Sequence, residues 1–339
     1  MGEYDDSSVH RAMGFYSGSS CCVKVYHLRF VDLHEDLAFS SQSEDVIGGS
    51  NQSSVQMLRG VGDDIIVFGS LYPHINTVDE RAEVLTKNYG HSSKSTSPLI
   101  QILLEQIKFY LYLERSGHVK IVRGSGDLDS KGLKLVLALE GADVLTDPYD
   151  LYMLRELNVL CVGLTWNYDN KFASSCMSKR DYGLTGYGEE LVRVANELGI
   201  IVDVAHSGKK TTMDAASTSK KPVIASHANA KGVKNHVRNL DDEELEAIAK
   251  TGGVVGITAI NSTLSEQPSI HDLAKHAQYV GERFGWEHVA LGTDFLGVEK
   301  TPSGFENVNK IATLAELLGP HAEQVLWENP IRVLKNTLH

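Results

Sequence analysis

Apolar and polar positions along this chain follow two different periods. Eight short stretches are largely apolar and rich in β-branched residues, and each closes on a polar residue or a glycine. They run from Leu28 to His34, Asp64 to Gly69, Leu133 to Glu140, Val159 to Thr165, Ile200 to His206, Pro222 to His227, Gly253 to Thr258 and His288 to Asp294. Continuous apolar runs of strand length mark strands covered on both faces, as in a parallel sheet. Between most of them the apolar residues recur at helical spacing. Leu99, Ile102, Leu103, Ile107, Tyr110 and Leu111 share one helix face, and so do Tyr187, Leu191, Val194, Ala195 and Leu198. After the sixth run, Asp241, Asp242, Glu243 and Glu244 open a helical stretch that Gly252 and Gly253 close, which suits a helix dipole and a glycine C-cap.

Strand and helix therefore alternate about eight times, which predicts an α/β fold of one specific kind, a single (β/α)8 TIM barrel. The barrel proper spans about 28–300, with C-terminal helices over 301–339, and residues 1–339 form one domain. A barrel of about 250 residues plus insertions accommodates the length. No Pro-rich or Gly/Ser linker divides the chain, and the βα alternation is its one repeat.

Composition removes several classes of function. A hydrophobic share of 42% supports a large core, while a net charge of -12 argues against nucleic-acid and anionic-membrane partners, which need a basic footprint. No apolar run reaches the roughly 18 residues of a membrane span. The stretch from Met1 to Gly18 is acidic and lacks the apolar centre of a signal peptide, and the C-terminus lacks the hydrophobic tail of a lipid-anchor signal. Cys21, Cys22, Cys161 and Cys176 form no C-x-x-C pair. They read as reduced thiols, and the expected location is cytoplasmic.

The polar residues that end the runs carry the chemistry. In a (β/α)8 barrel the catalytic groups project from the C-terminal ends of the strands, so residues far apart in sequence meet at one mouth. Here those ends bring His34 with Asp36, then Glu140, His206, His227 and Asp294. His34 and Asp36, two apart, face the same side of an extended chain. Glu140 has two carboxylate oxygens with which to bridge two metals, and imidazole with carboxylate is a donor set suited to zinc. Taken singly, each has an ordinary explanation, a hydrogen-bonded core histidine or a helix-capping acid. Five strand ends carrying metal-ligand types together point to a metal-dependent hydrolase.

These residues resemble the renal or membrane dipeptidase family of the amidohydrolase superfamily. Val31-Asp32-Leu33-His34-Glu35-Asp36-Leu37 is similar to its D-x-H-x-D-L motif, and Asp203-Val204-Ala205-His206-Ser207 to its D-x-[AS]-H motif. Ser226-His227-Ala228 resembles S-H-[AS], and Gly292-Thr293-Asp294-Phe295 resembles G-[ST]-D-F. The likeness covers roughly residues 28 to 335. It implies a dipeptidase with two Zn2+ per chain: His34 and Asp36 on the first ion, Glu140 bridging, and His206 and His227 on the second. A hydroxide shared by the metals would attack the peptide carbonyl, with Asp294 as proton shuttle. Arg238 matches the family's substrate-carboxylate arginine, whose guanidinium fork suits a free C-terminus. The implied partner is a small peptide, and a homodimer is left open.

Some positions depart from the family pattern. Leu164-Thr165-Trp166-Asn167 stands where many members have Leu-Thr-His, which places Trp166 and Asn167 in the substrate shell. Thr258-Ala259-Ile260-Asn261 lacks an aromatic, and Glu328-Asn329-Pro330-Ile331-Arg332 replaces Gly-Asn-x-x-Arg. The polar stretch from Phe39 to Asn51 reads as a mouth loop or lid, the stretch from Tyr168 to Asp181 as a second loop over the same face, and Gly183 to Gly188 as a structural lead into the next helix. Two alternatives to a dipeptidase remain. One is hydrolysis of another amide, such as an N-acyl amino acid, a lactam or a modified peptide. The other is a metal-binding accessory protein with little peptidase activity.

Overall fold

A computed structural model describes residues 28–74 and 98–339. Cys21, Cys22 and the stretch from Met1 to Gly18 lie outside the described residues. Nine strands form one sheet: β1 (Leu28–Glu35), β2 (Gly62–Leu71), β3 (Lys120–Ile121), β4 (Gly132–Leu139), β5 (Val159–Gly163), β6 (Ile201–Asp203), β7 (Val223–Ile224), β8 (Val255–Ile257) and β9 (Val289–Leu291). Their order is β7-β6-β5-β4-β2-β1-β9-β8, with β3 on the side of β4. Every pairing is parallel. A parallel bridge from Ala225 to Val255 joins the two ends of that order, so eight strands close into the predicted barrel. The two-residue β3, which pairs with Lys134 and Leu135, is too short to leave a mark in the hydrophobic pattern.

Strand residues divide between two buried clusters. Val31, Leu33, Ile66, Phe68, Val136, Ala138, Leu160, Ile201, Ile224 and Ala290 form one, together with Trp327, Leu334 and Leu338 from the C-terminal helical segments. Phe30, Ile65, Val67, Leu135, Leu137 and Leu139 join the helices in the other. Adjacent strand residues point to opposite faces, so a run with both faces covered must be apolar throughout.

The caps follow the sequence closely. Thr185 starts the helix Gly186–Leu198 by accepting the Gly188 amide, and Gly199, at φ 67°, ends it. Asp241 and Glu244 form a reciprocal capping box on the helix Asp242–Lys250. Within Glu328–Arg332, the two side chains that match the Asn-x-x-Arg part of the family pattern hold backbone. The Asn329 amide donates to the carbonyls of Trp286 and Val289, and Arg332 donates to those of Gly252 and Glu287. These carbonyls precede or begin β8 and β9, at the end of the barrel opposite the catalytic mouth.

Candidate metal centre

The strand ends bring all six predicted ligands together, though three of the strands, β6, β7 and β9, stop earlier than expected. They stop at Asp203, Ile224 and Leu291, each three residues short of His206, His227 and Asp294. His206 and Asp294 have φ of 66° and 62°, a left-handed backbone that leaves the sheet and that non-glycine residues adopt at a cost. Asp36 is likewise no longer in the strand, having a backbone at φ -93° and ψ 43° that opens the short helix Leu37–Ser40. It still meets His34 because the chain turns there, and the same-side argument for an extended chain does not apply.

His34 Nε2 lies 3.5 Å from Asp36 Oδ2, 3.6 Å from Glu140 Oε2 and 3.7 Å from Asp294 Oδ1. Glu140 presents its other oxygen, Oε1, at 3.1 Å from His206 Nε2 and 3.7 Å from His227 Nε2. One carboxylate therefore faces two groups of donors. His34, Glu140 and His227 bring three potential ligand atoms within 4.8 Å of one another, as do His34, Asp36 and Asp294.

Outer partners fix the two strand-end imidazoles. Ser226 Oγ donates to Asp203 Oδ2 at 2.5 Å and so accepts the Nδ1 proton of His227 at 2.8 Å. Asn167 Oδ1 accepts the Nδ1 proton of His206 at 2.8 Å. Both Nε2 atoms then carry lone pairs, yet they face each other at 2.9 Å. Two lone pairs beside a carboxylate oxygen repel; Arg238 donates to that of His206 at 2.9 Å, which leaves the His227 lone pair facing a nitrogen and a carboxylate oxygen with no donor among the described residues. On the other side His34 Nε2 and Asp36 Oδ1 are buried without a hydrogen-bond partner, which native interiors avoid. The residues present thus fit divalent metal, and holding a ligating imidazole by its far nitrogen is how metal sites set tautomer and orientation.

The electrostatics favour neutral nitrogen donors at His206 and His227 and a proton on His34. Burial pushes His206 down to about 3, and the Arg238 guanidinium pushes the same way. Burial, then His34, holds His227 well below the ordinary imidazole range. For His34 burial also lowers the pKa, but the Glu140 and Asp36 carboxylates outweigh it and leave it well above the usual value. Burial would raise Glu140, yet His34 and His206 hold it well below the carboxylate range. Asp294 is raised by burial, with Asp36 and Glu140 adding to the effect.

A cavity of about 500 Å³ opens on this cluster, lined by Asp36, Phe39, Tyr72, Glu140, Trp166, Asn167, His206, Arg238, Ile260, Asp294, Gly297 and Val298. Arg238, half-buried, is the group that donates to His206 Nε2 at 2.9 Å. Trp166 belongs to an aromatic wall: Tyr72 meets its edge at 5.2 Å, His74 lies tilted at 4.6 Å and Tyr168 at 5.4 Å between ring centroids. Phe39 extends the wall from Tyr72 at 5.3 Å. Asn167, predicted as a substrate contact, lines the cavity while its oxygen orients His206. Tyr72 and His74 were missed because the second apolar run was ended at Gly69. β2 continues to Leu71 and delivers them directly beyond it, with His74 Nε2 on the Glu140 carbonyl at 2.6 Å.

The stretch from Phe39 to Asn51 is a built turn. Asp45 Oδ1 accepts the Ile47 and Gly48 amides, and Val46 is buried. Cys161 and Cys176 are free thiols. Among the described residues no helix is long and apolar enough to cross a membrane.

Similarity to known proteins agrees with this geometry. The profile of the membrane dipeptidase family (peptidase family M19) matches residues 25–338. Dipeptidase verJ of Clonostachys rogersoniana is 36% identical over 226 residues, 65% of this chain and 57% of that protein. An uncharacterized dipeptidase of Schizosaccharomyces pombe is 35% identical over 221 residues, 60% of this chain and 53% of that protein. The chain thus spans little more than half the length of these curated relatives. Among solved structures, a metallopeptidase from Rhodobacter sphaeroides, liganded with a phosphinate mimic of the dipeptide L-Ala-D-Ala, shares the fold. Its TM-score is 0.77 at 21% identity, over 92% of this chain and 99% of that one. The match over residues 25–338 places this chain in the membrane dipeptidase family, peptidase family M19.

Proposed function

We propose that this protein is a zinc-dependent dipeptidase that hydrolyses dipeptides with a free C-terminal carboxylate. The observation that carries the reading is the set of buried ligand atoms around the Glu140 carboxylate that lack a donor: the His227 lone pair facing His206 Nε2, and His34 Nε2 and Asp36 Oδ1 without a partner. His34 and Asp36 would hold one ion, His206 and His227 the other, and Glu140 both. When bound, two zinc ions supply a water acidified to a pKa of about 7 and a Lewis acid for the carbonyl oxygen.

The protein's own groups do the rest. Asp294, at the rim of the cavity and beside His34, takes a proton from the attacking water and returns it to the leaving amine. Arg238 receives the substrate carboxylate on its guanidinium fork. Asn167 and Ser226 keep the Nε2 atoms of His206 and His227 deprotonated, while Trp166 and Tyr72 exclude water from one wall.

Steady-state kinetics of the metal-loaded protein on Ala–Ala, its C-terminal amide and its N-acetyl form test this reading. Free Ala–Ala is expected to be cleaved and the amide far more slowly. Arg238→Ala should erase most of that discrimination, since truncating one partner of a buried charge pair costs about 2 to 5 kcal/mol. Turnover of the amide equal to that of the free dipeptide, or of the N-acetyl form alone, would contradict the assignment.

A further inference from the structure

Beside the catalytic cavity lies a second groove of about 530 Å³, lined by Asn167, Tyr168, Asp169, Ser175, Met177, Ser178, Lys179, Arg180 and Tyr182. Asn167 lines both spaces, so the two are continuous there. A small chamber that includes Arg238 and Cys176 shares Ser175 and Ser178 with the groove. The groove therefore starts at the His206 and Arg238 end of the cavity, where the substrate's C-terminal residue is placed.

Its chemistry is distinct from that of the cavity. Tyr168, Met177 and Tyr182 present 48%, 54% and 39% of their surface to solvent and give the groove an apolar lining. Asp169 is turned into the loop, one oxygen on the Ser175 amide and the other on the Ser178 hydroxyl. Lys179 and Arg180 are exposed, and among the described residues neither has an acidic partner. Two cations against one committed carboxylate leave the groove net positive. The loop itself is held firmly: Cys176 N donates to the His206 carbonyl, and the single Tyr182 hydroxyl proton is shared between the carbonyls of Asn170 and Ala173.

We infer that this groove is a substrate subsite for a long side chain on the C-terminal residue, one with an apolar stem and a terminal carboxylate. The inference rests on the dipeptidase reading above. The stem packs on Tyr168 and Met177, and the carboxylate pairs with Lys179 and Arg180. A short side chain such as alanine leaves the groove empty, so the subsite sets preference and not the reaction itself.

The test compares Ala–Lys derivatives carrying an Nε-acetyl or an Nε-succinyl group, which share a stem and differ in the terminal charge. The wild type should show a KM roughly five-fold lower for the succinyl compound, the scale of one or two exposed ion pairs, and high salt should shrink the difference. The double variant Lys179→Ala, Arg180→Ala should treat the two alike while its kinetics on Ala–Ala stay unchanged. Equal KM values in the wild type, or a preference that survives in the double variant, would overturn the inference. If no dipeptide is cleaved, the dipeptidase reading fails by itself and the subsite is judged by calorimetry with free Nε-succinyl-lysine and Nε-acetyl-lysine. Tighter succinyl binding that the double variant loses supports it, and equal binding refutes it.

Discussion

Asp294 sits in a left-handed backbone conformation at φ 62°, which costs a non-glycine residue about 1 to 3 kcal/mol and persists only where surrounding contacts impose it. That conformation turns its carboxyl toward His34 and away from the β9 ladder. Asparagine tolerates the same backbone, so Asp294→Asn isolates the carboxyl from the fold. We expect it to lower kcat by about two orders of magnitude or more, with thermal stability near that of the wild type and the metal at His206 and His227 retained. Unchanged turnover would mean that another group moves the proton. That these six side chains meet was legible because each is a polar residue at or just beyond the end of an apolar run. The role of Asn167 was not, since only the folded chain puts its oxygen on His206 Nδ1. Ser226 lies next to a predicted ligand, but its link to Asp203 spans two strands.

The segment after β9 shows how elements hold one another in place. Leu296 also has a left-handed backbone, at φ 69°, and a Cβ on Gly297 would fall 2.2 Å from Asp36 Oδ2. The backbone at Gly297 therefore closes directly over the carboxylates. Gln52 clamps this turn with both ends of its amide, accepting from Leu296 N and donating to the Val298 carbonyl, each at 2.7 Å. Ser40 donates to the Leu296 carbonyl at 2.8 Å. Gln52→Ala should cost about 2 to 3 kcal/mol of stability for two lost buried hydrogen bonds. It should also lower kcat more than it raises KM, because the turn that orients Asp294 relaxes. Gln52→Glu keeps the acceptor for Leu296 N and should fall between the two. Denaturant unfolding and steady-state kinetics on the three proteins check this, and a Gln52→Ala protein with wild-type kcat would leave the clamp a purely structural part. Nothing in the sequence pairs Gln52 with residues more than 240 positions away, so this contact could not be read from the pattern. The strand cores could be read from it, because continuous apolar runs are what a doubly covered strand requires.

On the scale of the molecule, the eight-fold alternation carried the barrel, while its closure through Ala225 and Val255 and the clasp by Asn329 and Arg332 depend on backbone carbonyls that side-chain patterns do not reveal. One buried group away from the mouth ties the whole fold to pH. His276 accepts the Ala230 amide on Nδ1 and donates from Nε2 to the Leu264 carbonyl, and burial lowers it to about 4. Below the ordinary value of about 6.5 the unfolded chain binds a proton that the folded one refuses, so stability falls as pH drops from 6.5 toward 4, by up to about 3 kcal/mol. His276→Gln should flatten the fall in urea midpoints across that window, and an unchanged slope would assign the acid sensitivity to other groups. Six side chains from five strand ends are expected to hold a pair of metal ions at one mouth of the barrel. Elemental analysis of the purified, zinc-reconstituted protein tests it most directly. The wild type should hold about two ions per chain, and Glu140→Gln, where one oxygen donor of the shared carboxylate is replaced, should show a clear loss. A wild-type protein that binds no metal after reconstitution would contradict it.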